Sequence, residues 1–347
     1  MCRSLQQMWL ADNNEVVPLG LIDSDWGGTP IEAWSPTHAL DLCNAPITQS
    51  CNDDYPHHCP SQLFNAMILP LSRTALKGFL WYQGKANISE KNNRNIYNCT
   101  FPAMVDAWRR DFSIDHPANV DAPFGLVQLA AWRPDSLDPG FPLIRWHLTA
   151  DQGFVPNDNL RNVFMASPLD TFDAKEGYPG NIHTRYKQVV GERLAVAGMY
   201  VAYGKEDQAY KPYGPFPVDV SLDPDLQRIT VTYDQDIVFD STEISGFYIC
   251  YDDEDACDNS ESLANWEEVA KNNAVLYDSR TIWLHVEMTA KMERMQGLCV
   301  AYAWRETPVK RYLGLPVYGT EHHFSLPSPP WKNSDYGLHE IKVKCNL

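Results

Sequence analysis

Two short runs constrain this chain more than anything else in it. One spans Gly20-Leu-Ile-Asp-Ser-Asp-Trp-Gly-Gly-Thr-Pro-Ile-Glu-Ala-Trp34, the other Phe79-Leu-Trp-Tyr-Gln-Gly-Lys-Ala-Asn87. Each reads as an apolar strand that breaks into a loop of glycines, small polar residues and tryptophan. That is how an α/β protein presents backbone N–H groups and side-chain amides at the carboxyl edge of its sheet.

The rest of the first two-thirds fits that frame. Val16 to Ile22 reads as a buried strand, Gly78 to Tyr82 as a second, Phe124 to Ala130 as a third and Val163 to Ala166 as a fourth. Residues 1–10 read as the tail of a helix. Tyr97, Phe101, Met104, Val105 and Trp108 recur at helical spacing within 95–112, and Ile144 to Asp151 reads as another helix. Thr184 to Tyr200 carries the clearest helical period, with Val189, Val190, Leu194 and Val196 spaced for burial. Strand alternating with helix predicts an α/β fold, a mostly parallel, doubly wound sheet. After Gly204 the pattern becomes short β runs between turns: 218–222, 228–234, 246–251 and 281–287. The expected organisation is therefore a core over 1–204 and a β-rich, sandwich-like module over 205–347.

Charge and cysteine usage bound the function. The 347 residues carry a formal net charge of −17 and a sequence pI near 4.9, which excludes phosphate-neutralising surfaces and hence nucleic acid as a partner. No run approaches the ~20 apolar residues that cross a bilayer. Nine cysteines are scattered along the chain with no Cys-x-x-Cys pair, so a structural zinc site is not expected and an oxidising compartment is. Cys43, Cys51 and Cys59 in one polar stretch, and Cys250 with Cys257 in another, are candidate staples. Asn87 and Asn98 both stand in glycosylation sequons, and Asn98 is the better acceptor because Asn87 lies in the glycine-bearing loop. The first residues hold no apolar signal-peptide core, although the body reads as secreted.

The two runs together resemble the sialate O-acetylesterases, serine esterases of the wider SGNH-hydrolase group. The resemblance implies an SGNH-hydrolase-like fold and hydrolysis of O-acetyl esters on sialic acids through an acyl-serine intermediate, with no metal or cofactor. It also implies a secreted or lysosomal location. The family's nucleophile sits in a Gly-Gln-Ser-Asn segment, and none occurs in these residues. The expectation is an N-terminal segment missing from the chain, which also accounts for the absent signal; Ser24 is a weaker candidate nucleophile. A non-catalytic glycan-binding protein or a degenerate truncated paralogue is the alternative.

Site residues follow from the same runs. The Ser24 to Thr29 turn, with Gly27 and Gly28, reads either as an oxyanion-hole arm or as a tight strand-to-helix turn. Gln83 and Asn87 are candidate amide donors to the oxyanion. Lys85 stands where the family pattern Trp-Tyr-Gln-Gly-Glu has its acid. His183, in Gly180-Asn-Ile-His-Thr-Arg185, is the candidate general base, with Thr184 in place of the family's proline. Asp170 is the candidate triad acid and Asp173 a second, while a Ser-His dyad with an amide or carbonyl orienter stays open. Trp26, Arg145 and His147 are candidate substrate contacts, Arg145 through a bidentate pair with a sialic acid carboxylate; packing on the domain surface is the equal alternative.

Overall fold

The computed structural model describes residues 1–48, 50–89, 91–173, 181–206, 210–250, 262–287, 299–320 and 326–333. The chain divides into two compact units. The first comprises 1–129, 143–166 and 186–212, the second 130–142, 167–185 and 213–347. Both units are thus discontinuous in sequence, where sequence texture alone suggests one boundary near residue 205.

The first unit is built on a parallel sheet of β1 (Phe79–Trp81), β2 (Phe124–Val127) and β3 (Val163–Ala166), in the order β1-β2-β3. Every residue of β2 and β3 is buried, as expected of parallel strands covered on both sides. The register Phe124↔Val163 and Gly125↔Phe164 divides the side chains between two faces. Phe79, Trp81 and Phe124 share one face and meet the helix Tyr97–Ser113 through Trp108, Phe112 and Phe101, with ring centroids 5.0–6.0 Å apart. Val127, Phe164 and Ala166 share the other and pack against Val190, Leu194 and Ala197 of the helix Lys187–Tyr203. Helices therefore flank the sheet on opposite sides. Gly125 is required between them, because a Cβ there would stand 2.7 Å from both Leu80 and Phe164.

The helix expected over Ile144–Asp151 lies at Gly140–His147, and one expected strand does not form. Residues 16–22 form no strand, and Val16, Leu21 and Ile22 are 68%, 70% and 52% exposed. Apolar, β-branched composition suits a strand, but burial comes from pairing, and among the described residues no strand pairs with this run.

The second unit is β-rich. Its two four-stranded antiparallel sheets have the orders β4 (Pro217–Asp223), β5 (Arg228–Tyr233), β10 (Thr281–His285), β9 (Ala274–Leu276) and β13 (Trp331–Lys332), β11 (Cys299–Tyr302), β7 (Phe247–Cys250), β8 (Trp266–Glu268). A two-stranded pair joins β12 (Val317–Gly319) to β6 (Ile237–Phe239). In β5 the burial alternates, with Ile229, Val231 and Tyr233 inward, the period-2 signature of a sheet with one wet face.

Disulfides Cys43–Cys99 and Cys51–Cys59 brace the first unit. Cys250 is also disulfide-bonded, while Cys257 and Cys345 lie outside the described residues.

Candidate active site

The two glycine-bearing runs are fastened to each other in the first unit. Thr29 Oγ1 donates to the Trp26 carbonyl at 2.7 Å and accepts Trp34 Nε1–H at 2.8 Å, which closes the turn around Gly27 and Gly28. Gly28 has φ +83°, and nothing lies within 4 Å of where a Cβ would stand on either glycine. The turn is open, and its backbone can be approached closely.

Behind the turn lies a buried polar network that fixes it to the second run. Asn87 Oδ1 accepts the Ile31 N–H at 3.0 Å and Gln83 Nε2–H at 2.8 Å. Gln83 Nε2 also donates to the Thr29 carbonyl at 2.9 Å, and its Oε1 accepts the Tyr97 hydroxyl at 2.7 Å. Asn87 Nδ2 donates to the Glu32 carboxylate, 2.9 and 3.2 Å from its oxygens, and Asn93 Nδ2 donates to it at 2.9 Å. Glu32 and Asn87 have no solvent exposure. An ionised carboxylate only accepts, so it determines which end of the Asn87 amide faces it and therefore which end faces Gln83 and Ile31. Burial pushes the Tyr97 hydroxyl well above its usual range, so it stays a donor to Gln83 at any ordinary pH.

Gln83 and Asn87 thus spend their amide groups on other protein groups, where the sequence alone reads them as donors to substrate. Glu32, Asn93 and Tyr97 were not legible as site residues. Glu32 follows a proline at a helix start, a position that explains an acid by the helix dipole alone. Lys85 is exposed, in the same short 3₁₀ turn as Asn87.

Arg145 is fully buried, and its Nε donates to the Leu129 carbonyl at 2.8 Å, so its guanidinium stem is a strut of the interior here. His147, the last residue of the helix Gly140–His147, pairs through Nδ1 with Oδ1 of Asp151 in the turn that follows, at 2.5 Å, and Asp151 Oδ2 accepts Asn98 Nδ2–H at 2.5 Å. The nitrogen that would carry a glycan on Asn98 is therefore a donor within the fold. Asn87 is excluded as an acceptor in the folded chain by its complete burial. Trp26 is 51% exposed.

In the second unit, His183 ends the short helix Asn181–His183 and is exposed. The residues after it are pinned. Thr184, buried, donates from Oγ1 to the Thr171 carbonyl at 2.7 Å, and Arg185 forms a two-pronged pair with Asp173. Asp170, also fully buried, accepts the Tyr318 hydroxyl at 2.6 Å, and its carbonyl accepts Leu313 N–H at 2.7 Å. Gly180 lies outside the described residues. Among the described residues no cluster of His, Cys, Asp and Glu could hold a metal ion, and no helix is long and apolar enough to cross a membrane.

Residues 4–144 match the family model described as carbohydrate esterase, sialic acid-specific acetylesterase, and residues 218–335 match the sialate O-acetylesterase C-terminal domain. The chain belongs to the sialate O-acetylesterase family. It is 37% identical over 322 residues to the human sialate O-acetylesterase, covering 90% of this chain and 57% of that one. The mouse sialate O-acetylesterase is 34% identical over 346 residues, with 90% and 60% covered. The chain thus spans less than two-thirds of these relatives' length. A carbohydrate acetylesterase from Xanthomonas citri shares the fold, with a TM-score of 0.69 at 23% identity, over 96% of this chain and 65% of that structure. The sialate O-acetylesterase match spans both the parallel-sheet part and the β-rich part of the chain.

Proposed function

We propose that this chain belongs to an esterase that removes acetyl groups from O-acetylated sialic acids, in a secreted or lysosomal setting. The observation that carries the reading is the open Trp26–Thr29 turn held by the buried Glu32–Asn87–Gln83 network, within a chain of this family. The disulfides support an oxidising compartment.

The chemistry assigns each group a task. A serine hydroxyl attacks the acetyl carbonyl as His183 takes its proton, and the carbonyl oxygen becomes an oxyanion. Backbone N–H groups of Gly27 and Gly28 donate to that oxyanion, an interaction of the kind that supplies about 3 kcal/mol of transition-state stabilisation. Collapse of the intermediate expels the sugar hydroxyl, which takes the proton from His183 and leaves an acetyl-serine. His183 then deprotonates water, which releases acetate and restores the serine. Gln83 and Asn87 keep the glycine turn in place, and Asp170 is the acid we assign behind His183. No Gly-Gln-Ser-Asn segment occurs among the 347 residues, so the nucleophile is the one part of this reading they do not carry.

The test is acetate release from O-acetylated N-acetylneuraminic acid by the native protein and by its His183→Ala variant. A loss of 10³-fold or more in kcat/KM at unchanged folding supports the reading. Equal turnover by both proteins overturns it. Peptide mapping of the native protein, searched for a Gly-Gln-Ser-Asn peptide, identifies the serine.

A further inference from the structure

The loop Cys51–Cys59 carries a group of rings that the chemistry above leaves unused. Its ends are tied by a disulfide, with Cα atoms 4.5 Å apart. Within it, Asn52 Oδ1 accepts the N–H groups of Asp54 and Tyr55 at 3.0 and 3.2 Å, and Pro56–His58 form a single 3₁₀ turn. Thr48 Oγ1 donates to the His58 carbonyl at 3.2 Å and ties the loop to the preceding segment. The loop is therefore rigid although it lies at the surface.

That rigidity holds a set of aromatic rings against the glycine turn. His57 stacks on Trp26 with centroids 4.7 Å apart and planes 20° from parallel. Tyr55 stands edge-on to His57 at 6.0 Å and tilted to His58 at 5.3 Å. Trp26 is 51% exposed and Tyr55 is 52% exposed. Two large rings are thus half in water and held in orientation through His57, and one of them, Trp26, immediately precedes the open Gly27–Gly28 backbone. Burial would have been the favourable fate of such surface, at about 25 cal/mol per Å². Fixed, exposed rings suit a ligand with a flat, weakly polar face and hydrogen-bonding edges. A pyranose has that shape: its ring C–H groups cover an aromatic face while its hydroxyls reach polar groups at the edge.

We infer that Trp26, Tyr55 and His57 form a carbohydrate platform that holds a pyranose ring of the substrate beside the Gly27–Gly28 turn. This rests on the esterase reading for its place in the reaction, and it adds a sugar-binding surface supplied by the disulfide-closed loop. The platform recognises the sugar ring and not the acetyl group, so binding does not require the ester. The stack also makes the Cys51–Cys59 bond a condition of recognition, because opening it releases Tyr55 and His57 from Trp26.

The experiment is saturation-transfer NMR and a titration of the 347-residue chain with the methyl α-glycoside of N-acetylneuraminic acid, which carries no O-acetyl ester. Trp26→Ala and Tyr55→Ala are expected to raise Kd tenfold or more, and Tyr55→Phe to keep it within twofold, because the ring is what matters. Cys51→Ser with Cys59→Ser is expected to weaken binding as the alanine variants do. Both rings are half exposed, so far-ultraviolet circular dichroism should show these variants folded. Binding that is indifferent to Trp26 and Tyr55 overturns the platform, and so does the absence of any binding by the unaltered chain. The esterase reading stands or falls separately, on acetate release and His183. A platform that binds sugar in a protein without turnover sinks that reading alone.

Discussion

Asn87 is oriented by Glu32: its amide nitrogen lies 2.9 and 3.2 Å from the two oxygens of a carboxylate with no solvent exposure. Through the other end of that amide the constraint passes to Ile31 and Gln83, and through Gln83 to the Thr29 carbonyl, just after Gly27 and Gly28. A single acid thus sets the geometry of a turn it does not touch.

Glu32→Gln keeps the size of the side chain but puts an NH₂ group against one of the two donating amides. The expected cost is about 2 kcal/mol, the penalty of leaving a buried donor unpaired. It should be read as a lower urea midpoint with an unchanged slope. A midpoint equal to that of the parent chain contradicts the network.

Gly84→Ala should be among the most damaging single changes in the first unit. Gly84 has φ +138°, and a Cβ there would stand 2.6 Å from Ile144 Cγ2. Backbone strain of this kind costs on the order of 1–3 kcal/mol before any clash is counted. Adding Ile144→Ala removes the clash and not the strain, so thermal unfolding of the double variant should show only partial relief from the Gly84→Ala defect.

Loss of the Cys43–Cys99 bond, by Cys43→Ser with Cys99→Ser, should lower stability by about 4 kcal/mol on the chain-entropy estimate for a loop of this length. Its 56-residue separation far exceeds the 8 of Cys51–Cys59, so the two disulfides should separate in a melting experiment. Opening the shorter loop is expected to cost less, about 2.5 kcal/mol on the same estimate.

Asp240 sits below the usual carboxylate range, chiefly because the backbone N–H of Thr242 donates to it, with Arg311 adding to the effect. A carboxylate depressed in the fold contributes stability above its unfolded-state value and loses it as pH falls through the folded-state value. Asp240→Asn should therefore flatten the acid limb: the gap between parent and variant urea midpoints grows from pH 2 to pH 5 and levels off above. The side chain is largely exposed, so the gap is small. A constant gap across that range contradicts the assignment.

Strands whose burial comes from neighbours close by were legible in the sequence. Val163 to Ala166 matches its expected bounds, 78–82 is recovered one residue shorter at each end, and 124–130 is recovered with a shorter C-terminal end. The helix expected over 184–200 starts at Lys187, because Thr184 and Arg185 are held by Thr171 and Asp173 in a conformation outside it. Residues 16–22 misled because hydrophobic composition reports a preference for burial, and only a partner strand can satisfy it. In the site, both runs were recognisable by their glycines, yet the roles of Asn87 and Gln83 were not. An amide reads the same whether it faces a substrate or a carboxylate, and the carboxylate was 55 residues away in the sequence.

The discontinuity of the two units bears on how the chain is made. The polypeptide passes from one unit to the other at 129/130, 142/143, 166/167, 185/186 and 212/213. On a ribosome, the parallel sheet of the first unit can form once β3 has emerged, but the helix Lys187–Tyr203 that covers Val127, Phe164 and Ala166 comes later. For that interval one apolar face of the sheet is uncovered, and the segments 130–142 and 167–185 wait for a β-rich body not yet synthesised. Folding in the cell is therefore a matter of timing as much as of stability.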